Sequence, residues 1–363
     1  MKLEKAFLSF LILISTTMLS AAPPALSVKE LNSSPPRIIR TCCAFGSDMH
    51  LVGIPFVKIN HIVCIDELGE HNYMGDSREG NGLIYTINGG FIDIGHLRDV
   101  ADWTAYLYSF ILFNRDKGEI EQQLAYEGGK KNLIIRINNE LDSMECLLLA
   151  GKIAFDLSLW HELSTWFGAS TVPMVPERYS SFSVEDVYSN LLGVLIGIDA
   201  LKSDLPYNAA MTEILLATLD SLGSVRTEED TYAAMEAVRD KWWTNAKRLP
   251  SRKVLLERDT EVFSRVHPWI VPDSISLKTK PQILEVPKTI SNGKSLTDYY
   301  SLSIDVNHKI PVKEIFPERE NRLITQDDFG ILLNWVANDL ESQNYIFYSK
   351  IKSNRSEADN KNL

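Results

Sequence analysis

The sequence predicts an α+β protein dominated by helices, with short strands on its N-terminal side and an irregular C-terminal cover. Helical apolar spacing recurs from about residue 96 to residue 246. Short apolar runs bounded by Gly and Asn precede it, as strands and their turns do. Beyond Pro250 the periodicity breaks into pieces interrupted by proline.

At the start, Lys2 and Lys5 precede an apolar stretch from Ala6 to Leu19, followed by the small residues Ser20, Ala21 and Ala22. This three-part pattern reads as an export signal over residues 1–22. The alternative is an uncleaved anchor, but the apolar core is shorter than the ~20 residues that span hydrocarbon. Residues 23–40 carry Pro23, Pro24, Pro35 and Pro36 and read as an extended lead. One mixed domain is expected over 41–345 and a polar, frayed tail over 346–363.

Within the domain, Ile54–Ile65 is expected to form one or two strands and Gly69–Gly82 a loop. Leu83–Ile87 reads as a strand entering the Asn88-Gly89-Gly90 turn, and helix follows over His96–Phe110. Another strand is expected over Lys131–Ile137, then a long helix over Asp142–Phe167 stopped by Gly168. Further helices are expected over Ser183–Leu201, Asn208–Leu222 and Glu228–Ala246, with Gly193 and Gly197 spaced for close packing. Lys253–Leu256 and parts of 281–310 read as short extended pieces, and Thr325–Leu340 as a last helix.

Hydrophobic residues make up 45% of the chain, enough for a sizeable core in the roughly 340 residues left after a signal. The net charge of -11 and the lack of a basic stripe argue against nucleic acid and against an anionic membrane surface. No apolar run after the signal is long enough for a transmembrane partner, so the mature chain is expected to be soluble. The four cysteines fit an oxidising compartment without requiring disulfides. A bridge from Cys42 or Cys43 to Cys64 is one arrangement, and Cys146 reads as a buried small hydrophobe.

Two segments concentrate chemistry. In Gly95-His96-Leu97-Arg98-Asp99, a helix start places His96 and Asp99 three residues apart on one face, suited to metal ligation or to a carboxylate orienting imidazole. In Trp160-His161-Glu162-Leu163, an apolar setting raises the proton affinity expected of a carboxylate. Position 165 is Thr where a zinc-peptidase helix has its second histidine, so that motif is absent. Glu185 and Asp186 form a third patch, read either as a helix cap or as a carboxylate facing His96 and His161. Ser164 lacks a nucleophile elbow, and the Asn88-Gly89-Gly90 turn either offers backbone donors to an oxyanion or simply reverses the chain. No phosphate loop or dinucleotide fingerprint is present.

The segments Cys42-Cys43-Ala44-Phe45-Gly46, Gly95–Asp99, Trp160–Gly168, Ser183–Gly197 and His267–Pro272 together resemble the family DUF4056. The resemblance covers about residues 37–345 and implies a bacterial exported protein, without implying an activity. From the residues themselves, the expectation is an exported hydrolase, periplasmic or extracellular, acting on an envelope-associated substrate. His96, His161 and Asp99 are the expected metal ligands, with zinc the leading ion, and Glu162 and Asp99 the expected catalytic groups. The competing expectation is a noncatalytic envelope binding or structural protein, in which the same residues cap helices and satisfy a buried network.

Overall fold

A computed structural model describes residues 23–342 except 25, 34, 36–39, 41–43, 48–49, 52–53, 59–60, 139–140, 171–176, 246–254, 263 and 273–279. The expected signal and polar tail lie outside the described residues, as do Cys42 and Cys43. The helices are α1 (Val28–Leu31), α2 (Ile94–Phe113), α3 (Ser143–Trp166), α4 (Asp186–Lys202), α5 (Tyr207–Ser221), α6 (Glu228–Ala237), α7 (Val312–Ile315) and α8 over residues 329–342. The strands are β1 (His50–Leu51), β2 (Ile54–Lys58), β3 (Leu83–Thr86), β4 (Gly90–Asp93), β5 (Glu119–Gln123), β6 (Gly129–Arg136), β7 (Arg265–Val266), β8 (Leu284–Glu285), β9 (Tyr300–Val306) and β10 (Leu323–Thr325). This is the helix-dominated α+β chain that the sequence predicts.

The helical body is built on α2, α3 and α4, whose apolar residues share one buried core. Alpha2 and α4 approach closely because Gly193 and Gly197 present no side chain to α2. A Cβ on Gly193 would lie 2.2 Å from the Leu97 carbonyl oxygen, and one on Gly197 would lie 3.0 Å from Ala101 Cα. The spacing of the two glycines therefore sets how near the starts of α2 and α4 can come.

Against α3 lies an antiparallel sheet in the order β10-β9-β6-β5. Alternation decides its inner face: Leu133 pairs with Leu302 and Ile135 with Tyr300, all buried. The Tyr300 hydroxyl donates to Asp156 of α3, and Trp160 of α3 stacks on Phe329 of α8, with ring centroids 5.9 Å apart. Strand β5, which the sequence reading does not pick out, alternates between exposed and buried positions over a mostly polar run. Only Ile120 is fully buried there, too weak a pattern to mark a strand.

The β3–β4 hairpin feeds directly into α2. Its turn needs glycine at 90, where φ is +69° and a Cβ would fall 2.3 Å from the Trp269 carbonyl oxygen. The Gly89 amide is committed to Thr86 Oγ1 and the Asn88 amide to the Leu222 carbonyl. Those amides hold the turn and are not available as oxyanion donors.

Several boundaries differ from expectation. Alpha2 begins two residues before His96 because Asp93 caps it, accepting the His96 amide at 3.0 Å. Alpha6 ends at Ala237, where the chain turns so that Trp243 pairs as an isolated bridge with Leu255. The lead is not extended throughout: Ser27 and Glu30 form a capping box around α1, which buries Leu31 in the main core. Cys64 and Cys146 are free thiols, Cys146 fully buried as the sequence suggests.

Candidate functional site

Three helix ends converge on one point. His96 sits in the first turn of α2, Glu162 near the C-terminal end of α3, and Asp186 opens α4. One ligand atom from each lies within 4.8 Å of the other two. His96 Nδ1 is 3.2 Å from Asp186 Oδ1.

Each side chain is held by local structure. Asp93 caps His96 and its own amide donates to Ser189 Oγ on α4, at 2.9 Å, which ties the starts of α2 and α4 together. Asp186 Oδ2 accepts the Ser183 amide at 2.9 Å, while Asp186 Oδ1 is buried and accepts no hydrogen bond. Glu162 Oε2 accepts the Phe182 amide at 2.7 Å. Phe182 adopts φ of 56°, a backbone region costly for a bulky residue, and is fully buried. That turn is braced by Arg258, which donates to the Ser181 and Tyr179 carbonyls, and by the Asp259 amide, which donates to the Phe182 carbonyl at 2.9 Å. A strained turn so firmly held suits the precise placement of an amide on a buried carboxylate.

The site is rich in buried acid. Glu162, Glu185, Asp186 and Asp259 are all at most 5% exposed. Burial and the neighbouring Asp186 push the Glu162 carboxyl up to about 7. Glu185 is raised well above the usual carboxylate range by burial and by Asp186, and its Oε1 accepts no hydrogen bond. Burial, with Glu261 and Asp186 adding to it, raises Asp259 to about 7. Such a group of carboxylates needs protons or a cation to be stable in a low-dielectric interior.

The other expected site residues have separate partners. His161 points its Nδ1 at Glu127 Oε1, 2.6 Å away, and Glu127 also receives Lys131 Nζ at 2.6 Å. Burial lowers the proton affinity of His161, but the Glu127 contact outweighs it and carries the imidazole up to about 9. Asp99 lies near enough to His96 to feel its charge, but its carboxylate accepts from Arg40 Nη1 at 3.0 Å and is not among the three convergent ligand groups. Ser164 donates to the His161 carbonyl, so its hydroxyl serves the fold. Of the residues the sequence singles out, the structure brings together the ligand atoms of His96, Glu162 and the Asp186 of the third patch, with His161 near enough to feel the charges of Glu162 and His96. It also adds the Phe182 amide beside Glu162 and Glu127 beside His161, neither of which carries a sequence signal: Glu127 stands in an ordinary hairpin turn, and an amide has no letter of its own.

The fold and site define an α+β protein with a buried histidine–carboxylate centre at the meeting of three helix ends. The chain belongs to the family DUF4056, described as a protein of unknown function, whose family model matches residues 30–272. The match contains His96, Glu162 and Asp186 and stops before β9, β10 and α8, so it covers less of the C-terminal side than the expected 37–345. No curated protein and no solved structure matches the chain.

Proposed function

We propose that this protein is an exported hydrolase whose centre is a divalent metal ion held by His96, Glu162 and Asp186. The observation that carries this reading is the meeting of these ligand atoms within 4.8 Å in an interior region with surplus buried carboxylate. One imidazole and two carboxylates leave a coordination position for water, the pattern of catalytic rather than closed structural zinc sites. Zinc is the first choice for mixed nitrogen and oxygen ligands. A divalent ion held by His96, Glu162 and Asp186 would supply Lewis acidity and activate water for hydrolysis at a carbonyl or phosphoryl centre. Export is supported by the N-terminal charge and apolar pattern of residues 1–22, and it directs the search to envelope peptides, glycans and lipid headgroups.

The test is elemental analysis of the mature protein, purified without chelator and supplemented with zinc, beside His96→Ala and Asp186→Asn. The expected result is about one equivalent of metal in the wild type and loss of it in both folded variants. A wild type that holds no metal after supplementation rejects the centre and leaves the noncatalytic binding or structural reading, in which the acids are protonated and serve the fold. Metal without turnover across an envelope-substrate panel rejects the hydrolase and keeps the metal site.

A further inference from the structure

Further along α2, the chain's own Arg40 is enclosed by groups gathered around its guanidinium. Nε donates to Glu79 Oε2 at 2.7 Å and Nη2 to Glu79 Oε1 at 2.9 Å, the paired fork that carboxylates and guanidinium groups share. Nη1 reaches Asp99 at 3.0 Å and Asp102 at 2.8 Å, and Nη2 also donates to the Asn72 carbonyl at 2.9 Å. The side chain is 1% exposed, while Glu79 and Asp102 are at 0%.

Two of the acids, Asp102 and Glu79, have further contacts besides Arg40. Asp102 accepts the Tyr207 hydroxyl and approaches His71 Nε2, both at 3.0 Å, and takes the Met74 amide at 2.9 Å. Glu79 accepts the Asn72 amide at 2.9 Å. His71 is buried, and its Nδ1 lies 3.7 Å from Glu79 Oε1 with no hydrogen bond. These contacts come from α2, α5 and the 69–82 loop, so the receptor is assembled by the body of the protein and the ligand by its lead.

We infer that Glu79, Asp99, Asp102 and the Asn72 carbonyl form a guanidinium-binding site whose resident ligand is Arg40, fastening the N-terminal lead to α2. The site recognises a monosubstituted guanidinium, the head group of an arginine side chain. Lysine is a poor substitute, because a point-like ammonium does not span Glu79 and the two aspartates at once. The lead touches α2 a second time through α1. Tethering gives Arg40 a high effective concentration, so a free guanidinium competes poorly with it in the intact chain and binds when it is removed.

The experiment uses the full mature chain with Arg40→Ala, followed by thermal melting with methylguanidinium, methylammonium or sodium chloride at matched ionic strength. The variant is expected to melt roughly 5–15 °C lower than the wild type. Methylguanidinium at about 10–50 mM is expected to recover much of that loss along a saturating curve. Methylammonium and salt are expected to do neither, and the wild type to show no such saturating gain. Adding Glu79→Gln to Arg40→Ala is expected to abolish the recovery. A variant as stable as the wild type, a recovery equal for all three additives, or a recovery that survives Glu79→Gln overturns the assignment. If Arg40→Ala does not fold, it is refolded from urea with and without methylguanidinium. Folding only in its presence supports the site, and failure in both overturns it.

Discussion

Two acidic clusters lie on α2 within two turns of each other, and they are stabilised in opposite ways. Around Arg40 two of the three acids are saturated: Asp102 has four polar partners, and Glu79 is held down to about 2 because, against burial, Arg40, the Asn72 amide and Arg98 favour its charge, while burial outweighs Arg40 at Asp99 and raises it to about 7. Around His96 the acids are in excess: Glu162 is raised to about 7, and Asp186 Oδ1 and Glu185 Oε1 accept no hydrogen bonds. The first cluster carries its own cation in its sequence. The second would, on the reading proposed above, take its cation from outside. Burial of acid alone distinguishes nothing; the difference lies in whether the chain supplies the opposing charge.

The sharpest way to break this comparison is to remove one acid from each side. Glu79→Ala strands the buried Arg40 guanidinium, and a loss of about 3–5 kcal/mol is expected from urea unfolding at pH 7. If the loss is below ~1 kcal/mol, the Arg40 cluster is not a saturated network and the contrast fails.

Next in size is Gly193→Ala, which tests whether the α2–α4 approach is what brings His96 to Asp186. The added Cβ has to move away from the Leu97 carbonyl oxygen, which it would meet at 2.2 Å. The expected cost is about 1–3 kcal/mol, with weakened zinc retention on dialysis. Unchanged retention in a destabilised variant shows that the site tolerates a shift of the two helices.

Much of this was legible before the structure. The long apolar run of 143–166, the glycines at 193 and 197 and the Asn-Gly-Gly turn mark a buried helix, a close helix packing and a hairpin, because length, sterics and turn chemistry are local properties. His96, Glu162 and Asp186 were each visible as chemistry-bearing residues, the last within a patch also read as a cap. Their grouping is offered by the sequence as one of two readings and is not decided there, because it depends on how helix ends far apart in sequence meet. Asp99 illustrates the difficulty. Helical spacing places it on one face with His96, yet Arg40, 59 residues earlier, claims its carboxylate. Strand β5 was illegible for a different reason: an edge strand with one fully buried residue has little apolar alternation to read.

Glu162→Gln gives the opposite sign to Glu79→Ala in metal-free protein. The folded chain holds the Glu162 proton up to about 7, against an ordinary value of 4.5. Between those pH values the folded state binds more protons than the unfolded one, so its stability falls as pH rises through the window. Glutamine keeps the acceptor for the Phe182 amide and removes the charge. At pH 8 and without metal, the variant is expected to be about 1–2 kcal/mol more stable than the wild type, and at pH 4 equal to it. With zinc added the order reverses, because only the wild type gains binding energy. A variant less stable than the wild type at pH 8 in chelator shows that the Glu162 charge is already compensated.

The smallest effect separates the surplus of acid from the identity of the ligands. Asp259 belongs to the same buried acidic region but not to the group of three, and burial, with Glu261 and Asp186 adding to it, raises it from 3.8 to about 7. Its backbone amide holds the Phe182 carbonyl, and its Oδ1 accepts the Glu261 amide at 3.3 Å, contacts that asparagine preserves. Asp259→Asn is therefore expected to gain about 1 kcal/mol at pH 8, with the gain shrinking to nothing as pH falls through the 3.8–7 window. Its metal content is expected to match the wild type. Equal destabilisation at every pH would mean that Asp259 serves as a hydrogen-bonding strut, and the excess of charge would then be confined to Glu162, Glu185 and Asp186. Loss of metal at unchanged stability would instead enlarge the ligand set to include the segment that braces the Phe182 turn.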